Sequence, residues 1–242
     1  MSSGFEDVPV KVFTSPDGAP QVTEPSLSPR AVGRLSVLRR VLGEMVGRAE
    51  PPEYLRSSQM AKLCGCEASL VRRDLVQVGA NGRPGYGYPV RALAQRLEAL
   101  FRPVAKHRVA VVGVGNLGKA IINYFQQHHQ DMSVVALFDA NQEKTDRVLH
   151  GIPSHRIDRF RSVSKDLGVS VAILAVPEAE TQHVADIVVA SGVHCILCFG
   201  SQSLDVPASV HVEHVDISAA LDRLGFCVKI SSSSQTAPKD EV

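Results

Sequence analysis

The 242-residue sequence lacks the long apolar runs and the leader features that mark membrane and secreted proteins. No apolar stretch approaches the ~18 residues that a membrane span requires. The polar N-terminus, MSSGFEDVPVKVFTSPDG, has neither the basic region nor the apolar region of a signal peptide. These absences predict a cytoplasmic protein with no membrane partner.

Cysteine is scarce, and its spacing does not favour a metal site. The chain has five cysteines, including a C-x-C pair at Cys64 and Cys66 and a C-x-x-C pair at Cys195 and Cys198. The second pair lies in VHCILCFG, a pattern typical of a buried strand, where side chains three positions apart point to opposite faces. Without a second ligand cluster, we expect buried structural thiols and no metal; a redox or metal role is the alternative.

Net charge is also small, +1 overall, but it is unevenly distributed along the chain. Residues 28–105 carry thirteen basic and six acidic groups, a net +7, whereas residues 1–27 and residues 106–242 each carry a net −3. Such an arginine-rich excess is expected of a segment that contacts nucleic acid phosphates. Charge alone would favour the alternative, a basic solvated face.

The composition divides the chain at similar places. Residues 1–27, with scattered proline, glycine and acids, and residues 231–242, with a serine run, lack periodicity and are expected to be disordered tails. Residues 28–105 form the basic segment. Residues 106–230 alternate strand and helix patterns, which predicts an α/β domain with a doubly wound parallel sheet.

The basic segment has the pattern of a winged helix-turn-helix domain. Ser28 and Pro29 give the start signal of a first helix. A glycine turn then separates SQMAKLCG from EASLVRRDLVQVG, whose apolar residues share one face and leave Ser69, Arg72 and Arg73 on another. The first turns of a recognition helix carry the side chains that reach base edges, so we predict that these three residues contact DNA.

A glycine-rich stretch, GANGRPGYGYPV, follows the third predicted helix. Between short strands it would form a wing, with Arg83 placed to enter a narrow minor groove and Tyr86 beside it. Charge, helix spacing and wing together predict binding to double-stranded DNA. A generic helical bundle is the alternative explanation of the apolar pattern.

The stretch VAVVGVGNLGKAIINYFQQ carries a G-x-G-x-x-G motif between a predicted strand and a predicted helix. Gly113 would allow the tight turn, Gly115 the approach of the backbone to a pyrophosphate, and Gly118 close packing of helix on strand. The helix N-terminus would supply amide donors for the phosphates. Asp139, 21 residues past Gly118, stands where a carboxylate binds the ribose and repels a 2′-phosphate, which favours NAD over NADP. A Rossmann-like domain without a nucleotide is the alternative.

Four motifs in order, S-L-V-R-R-D, G-x-P-G-Y-G-Y, V-G-V-G-N-L-G-x-A and H-V-D-I, resemble the Rex family of redox-sensing transcriptional repressors. The resemblance covers roughly residues 28–226. It implies a bacterial homodimer that binds palindromic operator DNA when NADH is scarce and is released when NADH binds. Such a protein senses the NADH to NAD ratio.

The resemblance also implies site residues. The implied cofactor contacts lie in the glycine motif, after the second strand, and after the third and fourth strands: Gly113, Val114, Gly115, Asn116, Leu117, Gly118, Asp139, Val176, Pro177, Cys198 and Phe199. A switch that couples cofactor state to domain orientation would use Arg34, Tyr124 and Asp216. From the residues alone, Arg34 would be a surface charge, Tyr124 a core aromatic and Asp216 a helix N-cap.

The sequence departs from the family in two places. Cys198 stands where the family commonly has asparagine, and cysteine lacks the paired donor and acceptor of an amide. The family's C-terminal helix exchanges between subunits, whereas SAALDRLGFCVKI is short and contains Gly225, which costs about 1 kcal/mol in a helix interior. We therefore expect altered contacts at the nicotinamide end and a weakly formed last helix.

Two other functions compete with the repressor. An NAD-dependent dehydrogenase would need a substrate domain and a poised acid or base, and the nine histidines show no forced pairing with an acid. We therefore expect no catalytic residues. A DNA-binding regulator with another nucleotide ligand, such as a coenzyme A derivative, is the third interpretation, and Asp139 argues against it.

Overall fold

The computed structural model describes residues 27–103, 105–128 and 131–235 of the chain. The chain divides into two compact units between Arg102 and Pro103, three residues before the boundary predicted from sequence. The predicted tails lie outside the described residues, except at their inner ends. Leu27 is buried in the core of the first unit, and the last helix continues past Ile230 to Gln235.

The first unit begins with a long helix and contains a helix-turn-helix. Its elements are α1 (Pro29–Val46), β1 (Tyr54–Leu55), α2 (Ser57–Cys64), α3 (Ala68–Gln77), β2 (Tyr88–Pro89) and α4 (Val90–Phe101). The Ser28 side chain accepts a hydrogen bond from the Ala31 amide and caps α1, as predicted. Gly65, with φ of +62°, ends α2 in the left-handed conformation and turns the chain into α3.

Apolar side chains at helical spacing form the core of this unit. They come from all four helices and include Leu35, Leu38, Leu42, Met60, Val71, Leu75, Val90, Leu93 and Leu97, each at most 3% exposed. The predicted amphipathic faces therefore pack against one another. α1 lies against α4, and α2 against α3.

A buried ion pair joins α1 to α3. Arg34 Nε donates to Asp74 Oδ2 at 2.6 Å, and Arg34 Nη2 donates to Asp74 Oδ1 at 3.0 Å. The Asp74 side chain is 3% exposed and that of Arg34 is 18% exposed. The bond to Asp74 raises the pKa of Arg34. Arg34 is thus a structural partner of the recognition helix, and its interpretation as a surface charge is wrong.

The second unit is the predicted doubly wound sheet. Its elements are β3 (His107–Val112), α5 (Asn116–His128), β4 (Met132–Asp139), β5 (Arg147–Leu149), β6 (Ile152–Arg156), α6 (Phe160–Asp166), β7 (Val171–Leu174), α7 (Glu178–Ala190), β8 (Cys195–Phe199), β9 (His211–Val215) and α8 (Ile217–Gln235). The strand order is β5-β6-β4-β3-β7-β8-β9, parallel except for the antiparallel β5–β6 pair. The six parallel strands follow the Rossmann order, and the β5–β6 hairpin was not predicted.

Helices cover the two faces of this sheet unequally. α6 and α7 cover one face over a core that includes Phe138, Phe160 and Val188. α5 covers part of the other face, where its Ile122 belongs to the same core as Val111 of β3. Beside α5 an apolar groove of about 620 Å³ is lined by Ala120, Ile121, Tyr124, Phe125, Met132, Val171, Ile173, Leu197 and Phe199.

The C-terminal helix differs from its prediction. α8 has 19 residues and continues through Gly225, so the expectation of a short, weakly formed helix is wrong. One glycine costs about 1 kcal/mol, which a helix of five turns tolerates. Its large apolar side chains, including Ile217, Leu221, Leu224 and Phe226, are more than half exposed. Among the described residues, no helix combines the length and apolar character that a bilayer crossing requires.

The burial of the Arg34–Asp74 pair predicts a stability difference between two arginines of α1. Arg34→Met should destabilise the first unit by about 3 kcal/mol, because the buried Asp74 carboxylate loses its cation. Arg39→Met is the matched control, since Arg39 also makes a bidentate pair, with Glu98, but an exposed one. It should cost less than about 1 kcal/mol. Urea unfolding of the full chain, followed by circular dichroism, measures both; equal costs would contradict the argument from burial.

Candidate nucleic-acid interface and dinucleotide site

The three predicted DNA contacts of the recognition helix lie together on its exposed face. Ser69, Arg72 and Arg73 are all exposed, on the side of α3 opposite its buried residues. Arg72 Nη1 donates to the Ser57 hydroxyl at 3.1 Å, and the Ser69 hydroxyl donates to a Glu67 carboxylate oxygen at 3.3 Å. This face of α3 therefore presents two guanidinium groups and a hydroxyl.

The glycine-rich stretch forms a small wing. β1 and β2 pair antiparallel, and a bridge between Arg83 and Gly87 closes the turn that precedes β2. Gly87 has φ of +111°, and a Cβ on it would lie 2.5 Å from the Leu55 carbonyl oxygen. Only glycine permits this close approach of the turn to β1.

Tyr54 holds the wing arginine, and the sequence did not indicate it. Arg83 Nη1 donates to the Tyr54 hydroxyl at 2.6 Å, and the guanidinium lies 5.6 Å from the centroid of the same ring. The Tyr86 ring lies 5.7 Å from the Tyr54 ring. The two predicted wing residues thus share one aromatic support. Tyr54 lies 29 residues before Arg83, so no local sequence pattern predicts this contact.

The glycine motif has the geometry predicted for its first and third glycines. Gly113 has φ of +95°, and a Cβ on it would lie 2.4 Å from the Ala175 carbonyl oxygen. A Cβ on Gly118 would lie 2.0 Å from the Gly113 carbonyl oxygen, so helix and loop are in close contact. A Cβ on Gly115 would meet no atom within 4 Å, which leaves this loop face open to a ligand.

Asp139 joins the glycine loop to the end of β4. The residue is 8% exposed, its Oδ2 accepts from the Val114 amide at 2.8 Å, and its Oδ1 accepts from the Asn141 amide at 2.8 Å. Lys144 Nζ lies 3.4 Å from Oδ2. Sequence reasoning found Asp139 but missed Lys144, for which the only signal is a basic residue five positions after the acid.

The residues predicted for the nicotinamide end lie at the ends of β7 and β8. Val176 reaches the glycine loop, since its Cγ1 would lie 3.0 Å from a Cβ on Gly113, and Pro177 precedes α7. Phe199 lines the groove beside α5. The Cys198 side chain is 1% exposed in the core beneath α7, and burial raises the pKa of its thiol. Because the thiol is enclosed in this core, only the Cys198 backbone would be available to a ligand at the end of β8.

The other predicted motif residues and the switch residues are placed as follows. Asn116 and Leu117 begin α5 and are exposed. Tyr124 is 54% exposed on α5, so its interpretation as a core aromatic is wrong. Asp216 Oδ1 accepts from the Ala219 amide at 2.8 Å, which confirms a capping role at α8. Tyr124 and Asp216 belong to the second unit and Arg34 to the first.

The cysteines do not form a common site in the described residues. No disulfide joins them, and Cys195 and Cys227 are exposed, so the expectation of buried thiols is wrong for these two. Burial, with the neighbouring Cys66, raises the pKa of Cys64 to about 11. Across residues 27–103, 105–128 and 131–235, no group of three or more His, Cys, Asp and Glu side chains is arranged to hold a metal ion.

Sequence comparison places the chain in a family. A Rex repressor of Latilactobacillus sakei is 34% identical over 172 residues, which are 71% of this chain and 83% of the relative. A Rex repressor of an Exiguobacterium species is 33% identical over 201 residues, 83% of this chain and 91% of the relative. The chain belongs to the Rex family. Both relatives are named redox-sensing transcriptional repressors, and the resemblance inferred from the motifs is confirmed.

Two further comparisons concern the fold. A family model described as a CoA binding domain matches residues 104–202. The crystal structure of RSP, a Rex-family repressor, has a TM-score of 0.77 at 24% identity and covers 87% of this chain and 99% of that one. RSP in complex with β-NAD⁺ and operator DNA has a TM-score of 0.74 at 25% identity, with the same coverage. The Rex fold, a winged helix followed by a Rossmann-type sheet, is thus shared along most of the chain.

The geometry of the glycine loop predicts opposite outcomes for two glycine substitutions. Gly118→Ala should destabilise the second unit by about 1–3 kcal/mol, because its Cβ would overlap the Gly113 carbonyl and force the helix away. Gly115→Ala, the matched control, should change the free energy of unfolding by less than about 0.5 kcal/mol, since its Cβ meets open space. Thermal unfolding without added nucleotide distinguishes them; a Gly118→Ala protein as stable as the control would contradict the close packing.

Proposed function

We propose that this chain is a redox-sensing transcriptional repressor, which binds palindromic operator DNA as a homodimer in the cytoplasm and is released by NADH. The observation that carries the proposal is that one Rex-family chain presents a basic helix-turn-helix face and, in a separate unit, a dinucleotide-type glycine loop with its carboxylate. RSP, a repressor of similar fold, has been crystallised with β-NADH and with β-NAD⁺ and operator DNA.

The DNA contacts follow from the exposed face of α3. Arg72 and Arg73 are free of the core and suited to bidentate recognition of guanine or to phosphate contacts, and the Ser69 hydroxyl is suited to either. The net +7 of residues 28–105 provides attraction that does not depend on base sequence. Arg83, supported by Tyr54, extends these contacts into the adjacent minor groove.

The cofactor is NADH or NAD, held at the carboxyl ends of the parallel strands. The α5 N-terminus and the open face at Gly115 receive the pyrophosphate, and Asp139 receives the adenosine ribose. The nicotinamide then lies toward the ends of β7 and β8, near Val176 and Phe199. The nucleotide serves as a signal, in keeping with relatives that are named repressors rather than enzymes.

Dimerisation is supported by two apolar surfaces of the second unit. The groove beside α5 and the exposed face of α8 each present several apolar side chains. Apolar patches of this extent exceed the single apolar residues that are normal on a protein surface. Burial of α8 of one copy on the groove of another would remove both from water. A two-fold dimer of this kind requires a near-palindromic site with two half-sites.

The switch is proposed to act on the spacing of the two recognition helices. If NADH binds better to an arrangement that misplaces those helices, NADH and DNA must weaken each other's binding by the same factor. Arg34, Tyr124 and Asp216 are the residues proposed to couple the two states. The bond from Arg34 to Asp74 connects the first of them directly to α3.

One observation favours a second candidate, a DNA-binding regulator with a coenzyme A derivative as ligand. The family model that matches residues 104–202 is described as a CoA binding domain. The carboxylate of Asp139 opposes this candidate, because the adenosine of coenzyme A carries a 3′-phosphate next to the 2′-hydroxyl that the carboxylate would bind, and the two negative charges would repel each other. Coenzyme A therefore belongs among the ligands tested.

Operator release should depend on the redox state of the nicotinamide. Labelled palindromic duplexes, selected from randomised half-sites, should bind two chains each in fluorescence anisotropy titrations at low salt. NADH should release the DNA at concentrations at which NAD⁺ and coenzyme A do not. Equal release by NADH and NAD⁺ would contradict redox sensing, release by coenzyme A would favour the second candidate, and no sequence-specific binding would contradict the repressor.

The arginines of α3 should be required for DNA but not for the cofactor. Arg72→Ala and Arg73→Ala should each weaken operator binding about tenfold to a hundredfold, as expected for loss of a bidentate base contact. NADH affinity, followed by cofactor fluorescence, should stay at the wild-type value. Arg161→Ala, an exposed arginine of α6 in the other unit, is the matched control for charge. Loss of both DNA and NADH binding would indicate misfolding instead.

A further inference from the structure

The turn that follows Asp139 places a lysine beside the carboxylate assigned to the ribose. Lys144 Nζ lies 3.4 Å from Asp139 Oδ2, and the lysine side chain is 35% exposed while that of Asp139 is 10% exposed. A carboxylate at this position excludes a phosphorylated ribose by repulsion. An ammonium group beside it attracts the same phosphate, so the two side chains act on a phosphorylated ribose in opposite directions.

The backbone of Lys144 is fixed on the sheet. The buried Ser154 hydroxyl of β6 donates to the Lys144 carbonyl at 2.6 Å, and the Lys144 amide donates to the Asn141 carbonyl at 3.0 Å. The Asn141 side chain in turn accepts from the Glu143 amide at 2.9 Å. The turn therefore holds the start of the lysine side chain next to Asp139.

The ammonium group itself is the adjustable part of this arrangement. Asp139 already accepts two backbone amides at 2.8 Å, so its charge is stabilised without the lysine. The contact to Lys144 is the longest of the three and is made by a flexible four-carbon side chain, so it is the one most easily exchanged for another anion. Arg156, which stands opposite Asp139 in the β4–β6 register, makes an exposed pair with Asp158 at 3.1 Å.

We propose that Lys144 is a specificity-determining residue, which binds a phosphate on the 2′-oxygen of the adenosine ribose and so limits how strongly the site rejects NADPH. Asp139 repels that phosphate and Lys144 attracts it, so the preference for NADH over NADPH is set by the pair. When NADPH enters, the ammonium turns from the carboxylate to the phosphate. This inference rests on the proposed function, since it assumes that a nicotinamide dinucleotide occupies the glycine loop.

The test compares the dissociation constants of NADPH and NADH, measured by the fluorescence of the reduced nicotinamide on the full-length protein. Lys144→Met should raise the ratio of the NADPH constant to the NADH constant about tenfold, the effect of one lost hydrogen bond between charged groups. A merely structural role for the lysine would change both constants together and leave the ratio unmoved. Lys165→Met, at the end of α6, is the matched control and should leave the ratio at the wild-type value.

The Asp139→Ala background gives an independent arm. Removal of the carboxylate should lower the ratio, because repulsion is lost and the ammonium is no longer held. Lys144→Met added to this background should raise the ratio again by at least as much as in the wild type. Thermal unfolding of each variant checks that it is folded. If Asp139→Ala does not fold, the comparison of Lys144→Met with the wild type decides whether Lys144 sets the ratio.

The outcomes separate this inference from the proposed function. A wild-type protein that binds NADH, with an NADPH to NADH ratio unaffected by Lys144→Met in either background, would overturn the role of Lys144 and leave the repressor intact. A wild-type protein that binds neither dinucleotide would overturn both. A ratio that rises with Lys144→Met and not with Lys165→Met supports the proposal.

Discussion

The hydrogen bond from the Val114 amide to the Asp139 carboxylate is the contact on which the dinucleotide site depends. It joins the loop after β3 to the end of β4, so that the acid and the glycines keep a fixed separation. The close contact of Gly118 with the Gly113 carbonyl then places the start of α5 against the same loop. The amides proposed to bind phosphate and the carboxylate proposed to bind ribose are thereby arranged before any ligand binds, which would lower the ordering cost of binding.

In the first unit, too, a buried carboxylate fixes one element of the fold to another. The buried Asp74 carboxylate fixes α3 to α1 through Arg34, so that the exposed face of the recognition helix is rigidly oriented. Removal of a partner from such a pair leaves an uncompensated buried charge, which is more costly than any gain from a new surface contact. A signal that released Arg34 from Asp74 would thus destabilise the unit that must read the DNA.

The sequence predicted features that have a strong local pattern and missed a contact between distant segments and two local features with weak signals. The helix-turn-helix, the glycine loop and Asp139 follow from periodicity, turn residues and spacing, which act over a few residues. Tyr54 supports Arg83 from 29 positions away, and no local pattern indicates that contact. The β5–β6 hairpin and Lys144 are local: His150 and Gly151 form the turn of the hairpin, both with positive φ, and Lys144 follows Asp139 by five residues. Their sequence signals, one glycine and one lysine, are too common to predict either feature.

Cys195 and Gly225 show two different reasons for error. Alternation along β8 predicts that Cys195 and Cys198 face opposite sides, but which side is the core depends on the neighbouring helices, and α7 covers the Cys198 side. For Gly225, the free-energy cost of one glycine in a helix predicts a weak helix only if the helix is short, and α8 has 19 residues. Propensity is a small term that the remaining turns of α8 outweigh.

The rigidity of both sites limits how a cofactor signal can reach DNA. Each site is held by buried polar contacts inside its own unit, so a ligand bound to the glycine loop has little means of reshaping α3 itself. A bound ligand shifts an equilibrium only between arrangements for which its affinity differs. The arrangements that remain open are those of whole units and subunits, and two half-sites one helical turn apart make DNA binding sensitive to small changes of that kind. Under the proposed function, the signal would therefore be a change in the distance between two unaltered recognition helices of a dimer.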